Sequence, residues 1–242
     1  MGKWTRLFAS FRELRQKDKD VHAGIRFFDA MSAILGRGEA TMIASMRASE
    51  HGRSVLAEGA SLFSVVTNRS RLRGLPEGTL GREYVRFADE REIYPEQFEQ
   101  LLEEALGRPS ELTDHGSALG RLVHDRYRHL HDVWHVLLGY DTDEEGELSI
   151  LAFTGRQNGY RAHYMAAGVQ SIAAGFRGDF SKLRAFRRGW TRSKAAECLI
   201  AQDWDALFVL PLETVRETLA IPPLSEPAVA SASGPLGVGA GG

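Results

Sequence analysis

Apolar residues recur along most of the chain at spacings of three and four positions, with polar residues between them. This spacing places apolar side chains on one face of an α-helix, whereas the alternating pattern typical of half-buried strands is scarce. The pattern is interrupted by segments that contain glycine or proline, at residues 36–38, 74–76, 107–109, 139–146 and around Gly178. We therefore predict an all-α fold, a single-domain bundle of many helices.

The helical pattern ends after Ile221, where the sequence becomes rich in Pro, Gly, Ala and Ser. Such a composition offers too little apolar surface to offset the entropy cost of ordering the chain. The sequence therefore predicts an all-helical domain at residues 1–222 and a disordered tail at residues 223–242.

The first amphipathic segment sets Trp4, Leu7, Phe8, Phe11 and Leu14 at helical spacing, with basic residues on the other faces. Most helices of this kind pack their apolar stripe against the core, which is the interpretation we favour. The alternative is a helix that lies on an anionic membrane surface, with its basic residues at the lipid headgroups.

Charge and cysteine content narrow the functional classes. The chain carries 30 basic and 32 acidic residues, so no basic excess is available to neutralise a nucleic-acid backbone. Cys198 is the single cysteine and cannot form an internal disulfide, and the first residues lack the features of a secretory signal, so we expect a reducing, cytoplasmic setting. No apolar stretch approaches the ~20 residues of a transmembrane helix. Contact with the inner membrane would then be peripheral.

The richest group of chemically active side chains lies in residues 126–153. A helix through this region gathers its apolar residues on one stripe, formed by Leu119, Leu122, Val123, Tyr127, Leu130, Trp134 and Leu137. His131 and His135, four residues apart, fall together at the margin of this stripe, and Asp132 lies near them in helical rotation. One helix can therefore present two imidazoles and a carboxylate to one point.

A fourth ligand is expected from the next helix. Residues 139–146 form a polar, glycine-containing turn, after which Glu147 opens a second helix that runs back towards His135. Imidazole and carboxylate ligands suit zinc, iron(II), cobalt or manganese, and the absence of thiolates argues against a closed structural zinc site. We predict an open divalent metal site on this helical hairpin, formed by His131, Asp132, His135 and Glu147.

Other interpretations of neighbouring residues remain open. Asp132 could instead hold an imidazole in one tautomer from the second coordination shell. Thr142 and Glu145 fit the capping-box pattern and are expected to start the second helix.

Two further segments have a simple interpretation beside a functional one. Arg126, Arg128 and His129 could meet an anionic ring substituent or phosphate, but we expect them to be exposed, solubilising charges. The small residues of segment 165–176 could leave room for a lipid chain, but close helix packing is the commoner use of Gly and Ala.

The pattern His-Asp-x-x-His, eleven residues, then Glu resembles the signature of the ubiquinone biosynthesis protein 4 family. Residues 76–87, 126–147 and 211–221 resemble its entry segment, core and C-terminal helix, so the resemblance covers about residues 23–221. It implies a helical protein whose metal site, with the same four residues in the catalytic role, adjoins an apolar groove for a polyprenyl chain. The Gly-rich tail and the absence of a targeting extension depart from the family pattern.

The resemblance also implies an activity. It points to a metal-dependent lyase that removes the C1 carboxylate of a 4-hydroxy-polyprenylbenzoate and places oxygen there, in the company of other ubiquinone-biosynthesis enzymes. A homodimer is a further candidate assembly. The main rival is a noncatalytic lipid-binding scaffold for those enzymes. Metal phosphohydrolases would need distant ligands, and zinc proteases need Glu where this chain has Asp132.

Overall fold

The computed structural model describes residues 2–16, 20–36, 38–107 and 117–224. Within these ranges the chain forms helices joined by short turns, and its one β-type pairing is an isolated bridge between Thr79 and Pro211. The all-α, single-domain prediction is confirmed. The predicted tail, from residue 225 onwards, and part of the predicted break after Gly107 lie outside the described residues. The helices are α1 Lys3–Gln16, α2 Val21–Leu35, α3 Glu39–Ala48, α4 Glu50–Glu58, α5 Phe63–Val66, α6 Arg69–Arg73, α7 Leu80–Arg91, α8 Pro95–Leu106, α9 Ala118–Leu138, α10 Glu144–Asn158, α11 Arg161–Phe176, α12 Ser181–Arg192, α13 Trp204–Phe208 and α14 Leu212–Thr218.

The long helix α9 runs through the core, where it contacts α3, α5, α7, α10 and α14. Its predicted apolar stripe is buried from Val123 to Leu137, while Leu119 and Leu122 near its start are half-buried. Trp134 is fully enclosed. The helix that carries both predicted histidine ligands is therefore held in the best-packed part of the molecule.

Burial around α9 extends beyond the predicted stripe, so the expectation that its basic residues are exposed is wrong. Arg126 is 4% exposed and donates to the carbonyls of Ile200 and Gln202, at 2.7 and 2.6 Å. Burial lowers its pKa to about 10. Arg128 lies between the carboxylates of Glu99 and Asp125, and its neighbour His129 is also buried. These side chains satisfy backbone and carboxylate acceptors rather than solvate the surface.

The last carbonyls of α9 are bound by two arginines from far along the chain. Arg216 donates to the carbonyls of Val136 and Leu137 at 2.9 and 2.8 Å, and Arg192 donates to that of Leu138 at 2.9 Å. Helix C-termini leave such carbonyls unpaired and carry a partial negative charge, which cations stabilise. This arginine clamp fixes the end of α9 that carries His135.

A tight turn then reverses the chain into α10. Gly139 ends α9 with φ 71°, the left-handed conformation that glycine adopts without strain. Asp143 caps α10 by accepting from the amide of Gly146, so the predicted capping box of Thr142 and Glu145 is wrong by one residue. A Cβ on Gly146 would lie 1.8 Å from the Asp141 carbonyl oxygen, so only glycine fits at position 146.

Helices α10, α11 and α12 pack closely through small residues. A Cβ on Gly189 would lie 2.0 Å from the Ser149 carbonyl oxygen, so α12 approaches the α10 backbone directly. In α11, Ala167 and Ala174 are buried in this three-helix layer, and Ser171 donates to the Lys182 carbonyl at 3.0 Å. The small residues of α11 thus serve helix packing.

The apolar stripe of α1 does not pack on the core as expected. Trp4, Phe8 and Phe11 are 62%, 65% and 47% exposed, and α1 packs on α2 instead, with contacts that include the rings of Phe11 and Phe27 and an ion pair. None of the helices in the described ranges combines the length and hydropathy that crossing a membrane requires.

Candidate metal centre

His131 and His135 lie one turn apart on α9, so their rings project from the same face. The two Nε2 atoms are 3.2 Å apart. His131 is half-buried, whereas His135 is fully buried and its ring stacks near that of Phe87, with centroids 6.0 Å apart. The structure therefore brings the two imidazoles together at one point, where the helical spacing predicts them.

A backbone hydrogen bond fixes the tautomer of His135. Its Nδ1 lies 3.2 Å from the carbonyl oxygen of Tyr140, in the turn after α9. A carbonyl can only accept, so Nδ1 carries the proton and the neutral ring keeps a bare Nε2. Histidines that bind metals are oriented by the same kind of bond.

Glu147 completes the group from the first turn of α10. Its Oε1 lies 3.2 Å from Nε2 of His135 and its Oε2 lies 3.4 Å from Nε2 of His131. His131, His135 and Glu147 form the one cluster of potential metal-binding side chains in the described part of the chain. The short turn between α9 and α10 therefore brings the predicted glutamate to the two histidines.

Asp132 lies beside this cluster but does not join it. It makes no hydrogen bond within the described residues and faces the same cavity as His131. Burial raises its pKa, and the two nearby imidazoles partly offset that effect. The structure thus brings together three of the four predicted ligands, and the role of Asp132 stays a prediction.

The residues of the cluster shift one another's pKa values. Burial alone would lower the pKa of His131, but the hydrogen bond and charge of Glu147, with that of Asp132, outweigh it and raise the pKa. Burial would raise the pKa of Glu147, but the two histidines lower it well below its usual range. An ionised carboxylate with a cation partner is therefore the stable form of the metal-free cluster.

An apolar cavity of about 600 Å³ opens beside the cluster. It lies between α2, α8, α9, α10 and the start of α11, and its walls include His131, Asp132 and Glu147. None of the small residues in segment 165–176 borders it. The groove that the sequence left unassigned is lined mainly by α2 and α8, with Ile25, Phe28, Ile93, Phe98, Leu101 and Leu102 among its apolar residues.

Sequence reasoning missed three polar-aromatic residues of this cavity. The helical spacing places Tyr127 only in the core stripe and indicates no role for Tyr160 or His163, yet all three line the cavity wall. The tertiary packing of α11 against α2 brings His163 there. No local spacing in the sequence signals that contact.

Comparisons with known proteins place this geometry in a family. A family model described as "Coenzyme Q (ubiquinone) biosynthesis protein Coq4" matches residues 31–225. The chain is 28% identical over 207 residues to the mitochondrial ubiquinone biosynthesis protein COQ4 homolog of Danio rerio, covering 81% of this chain and 71% of that protein. It is 29% identical over 183 residues to the Rattus norvegicus homolog, covering 74% of this chain and 63% of that protein.

A solved structure has the same fold. The crystal structure of a Nostoc punctiforme protein, provisionally described as a ubiquinone biosynthesis protein, superposes with a TM-score of 0.62 at 22% sequence identity. The superposition covers 90% of this chain and 96% of that one. With the family model matching most of its length, the chain belongs to the Coq4 family and takes part in ubiquinone biosynthesis.

Proposed function

We propose that the protein binds a divalent metal through His131, His135 and Glu147 and acts there on the ring carboxylate of a polyprenylated hydroxybenzoate. The observation that carries this proposal is a set of three converging ligand atoms at the wall of an apolar cavity. The end of the cavity beside the metal ligands suits the anionic carboxylate of the substrate, and the apolar walls suit its prenyl tail.

The donor set fits a metal. Two ligands that each lie ~2.1 Å from a tetrahedral metal are ~3.4 Å apart. The two imidazole Nε2 atoms are 3.2 Å apart, and each lies 3.2 or 3.4 Å from a different oxygen of Glu147. One ligand atom from each of the three residues lies within 4.8 Å of the other two. Glu147 remains 40% exposed on its side chain, which leaves room for further ligands. Zinc, iron(II), cobalt and manganese all accept this donor set.

The cavity supports a prenylated substrate. The side chains that could bind a metal lie on α9 and α10, and most of the apolar lining residues come from α2 and α8. Each buried methylene stabilises a bound chain by ~0.8 kcal/mol. A prenyl tail in this cavity would therefore supply most of the affinity, and the metal would supply the orientation.

Replacing the ring carboxylate with hydroxyl is a two-electron oxidation that releases carbon dioxide, so an oxidant such as dioxygen is needed. The metal, when bound, supplies Lewis acidity and, if it is iron(II), redox chemistry. His131, His135 and Glu147 would hold it, and Asp132, on the same cavity wall, would lie beside the leaving carboxyl group. The apolar walls exclude water from the ring.

The experiment that tests this function purifies the full chain anaerobically, measures its metal by elemental analysis and supplies a short-tailed 3-prenyl-4-hydroxybenzoate with oxygen. We expect about one metal per chain and release of carbon dioxide in step with the hydroxylated ring. The matched control is the His135→Ala variant. Turnover that persists in the metal-free variant would overturn the proposed site.

A noncatalytic scaffold for other ubiquinone-biosynthesis enzymes is the second candidate, favoured by the position of the cluster, which links α9 to α10 so that a bound metal would hold the two helices together. Metal removal separates the two. The enzyme hypothesis expects a folded apoprotein without turnover. The scaffold hypothesis expects a holoprotein that binds the prenylated ring, never consumes it, and loses its fold with the metal.

We also propose that exposed apolar residues place the protein on an anionic membrane. Met165, Val169, Ile172 and Phe176 form an exposed stripe on α11, and Phe176 is 89% exposed. Residues 161–192 carry seven Arg or Lys and a single acidic residue, in a chain of net charge −2. Basic charge beside an apolar stripe is typical of helices at anionic lipid surfaces. The exposed aromatic residues of α1 would add to this surface.

Vesicle sedimentation tests the membrane contact. The full chain should co-sediment with vesicles that contain phosphatidylglycerol and much less with pure phosphatidylcholine. Val169→Ser with Phe176→Ser should weaken this binding, whereas Val209→Ser, at an exposed valine on another surface, should not. Equal binding by all variants would overturn the assignment, and a loss of dimer mass in the α11 variant would assign the stripe to a second copy instead.

A further inference from the structure

His163 lines the cavity from the α11 side, with its ring held in place by aromatic neighbours. The ring of His163 stacks on that of Tyr160, with centroids 3.9 Å apart and planes inclined by 2°. Phe28 from α2 contacts it edge-on at 5.4 Å. These contacts from two helices leave the imidazole little freedom to tilt or turn.

A chain of hydrogen bonds fixes which nitrogen of His163 carries a proton. The hydroxyl of Thr154 lies 2.7 Å from the Ile150 carbonyl oxygen, which can only accept, so Thr154 donates there. Tyr127 Oη lies 2.9 Å from Thr154 Oγ1 and must therefore donate to it. The remaining contact, 3.0 Å between Tyr127 Oη and His163 Nδ1, then requires that Nδ1 donate its own proton.

The neutral ring consequently has a bare Nε2. That nitrogen makes no hydrogen bond within the described residues. It is not among the fully buried polar atoms that lack a partner, and His163 borders the cavity, so Nε2 is accessible from there. Burial, reinforced by the charge of His131, lowers the pKa of His163 to about 3. The ring is therefore an uncharged hydrogen-bond acceptor near neutral pH. The residues that hold it, Tyr127, Thr154 and Tyr160, are not members of the metal cluster.

We propose that Nε2 of His163 accepts a hydrogen bond from a neutral hydroxyl group of the molecule in the cavity and so determines specificity for a hydroxylated ring. This inference rests on the proposed function, which supplies a phenolic substrate. Tyr127 and Thr154 are positioning residues, because they act only by holding the His163 proton on Nδ1.

The acceptor distinguishes three forms of a ring by elementary chemistry. A phenol can donate to a lone pair, its methyl ether has no proton to give, and its phenolate would place negative charge against that lone pair. Tyr127 stands one helical turn before His131, so the acceptor lies along the same wall as the metal cluster. The proposed substrate carries both a carboxylate and a hydroxyl, one for each of these two sites.

Binding of matched analogues to the zinc-loaded full chain tests the proposal, since zinc performs no redox chemistry and leaves the ligand intact. The probes are short-tailed 3-prenyl-4-hydroxybenzoate and its 4-methoxy and 4-deoxy analogues, measured by calorimetry. The wild type should prefer the hydroxy form about tenfold, the value of one good hydrogen bond.

Variants of the acceptor should then change this preference without abolishing binding. His163→Phe retains the stack on Tyr160 but has no acceptor, so the preference should fall to about onefold while the methoxy analogue binds as before. His163→Gln, which offers an amide oxygen, should restore part of the preference. Tyr164→Phe, on the same helix but outside the cavity wall, is the matched control and should change nothing. An unchanged preference in folded His163→Phe overturns the proposal.

Nitrogen-15 spectra of the histidine rings give a second test that needs no variant. In the wild type, Nδ1 of His163 should be the protonated nitrogen, and the Nε2 signal should shift with the hydroxy analogue but not with the methoxy analogue. Protonation at Nε2 would overturn the proposal directly. If the wild type binds none of the analogues, the proposed function fails; if it binds all three equally, that function stands and the specificity proposal fails.

Discussion

His131, in the metal cluster, and His163 line the same cavity, and their surroundings shift their pKa values in opposite directions. His131 and His135 face a carboxylate, which raises the pKa of His131 and draws positive charge or a metal to that end. His163 faces only hydroxyl and aromatic groups, and its pKa falls to about 3. The comparison teaches that the partner a buried imidazole meets, rather than its burial alone, decides whether it acts as a cation site or as a neutral acceptor.

The largest expected effect comes from breaking the charged group. His135→Ala removes the fully buried imidazole whose tautomer Tyr140 fixes, so we expect loss of stoichiometric metal binding, measured by elemental analysis after dialysis. His51→Ala is the control, because His51 is only partly buried and pairs with Asp203 outside the cavity. A metal content equal to wild type in His135→Ala would contradict the assignment.

A smaller effect should separate a ligand from its neighbour. Glu147→Gln removes a carboxylate that touches both imidazoles, and the metal dissociation constant should rise by more than ~100-fold, whereas Asp132→Asn should raise it by ~10-fold as a supporting residue does. Competition with a chromophoric chelator measures both. Equal losses in the two variants would instead make Asp132 a direct ligand, as the sequence predicts.

The pH dependence of protein stability should test whether His163 is neutral in the folded protein. His163 has a lower pKa in the folded state than the 6.5 of an ordinary histidine, so the unfolded chain binds the extra proton. Its contribution to stability is complete above pH 6.5 and is lost as pH falls, by up to ~1.4 kcal/mol per unit. Relative to His163→Gln, the wild type should therefore lose stability on acidification in urea titrations. A difference that is independent of pH would contradict the neutral assignment.

The smallest effect is expected from the bond that orients His163. Tyr127→Phe leaves Thr154 and His163 without their shared partner, so the free energy of unfolding should fall by ~1 kcal/mol. The protein should keep its metal, because Tyr127 does not touch the cluster. Chemical denaturation with metal analysis checks both statements, and loss of metal in this variant would link the two ends of the cavity.

The sequence predicted the charged group better than the neutral one, for a local reason. His131 and His135 lie one turn apart and Glu147 follows a short turn, so helix geometry alone brings them together. His163 meets Tyr127 across 36 positions of sequence, through helix packing that no periodicity encodes. The burial of Arg126 was missed for the same reason, since its acceptors lie more than seventy positions away.

The fold class followed from helical periodicity, yet the same periodicity misled at α1. An amphipathic pattern predicts that one face of a helix is apolar, but it does not predict which part of the protein covers that face. Trp4 and Phe8 are exposed, while the equivalent stripe of α9 is enclosed by five other helices. Only the tertiary arrangement distinguishes the two.

The arginine clamp on α9 also limits how far the metal site can be taken out of its context. The ligands span only residues 131–147, which resembles a portable motif. However, the carbonyls that end the first helix of that motif are held by Arg192 and Arg216, and Arg216 reaches back 79 and 80 positions. A peptide of the two helices alone, or a graft onto another bundle, would contain the ligands but lack the arginines that bind the last carbonyls of α9. The end of that helix would then fray, so the site depends on the whole domain.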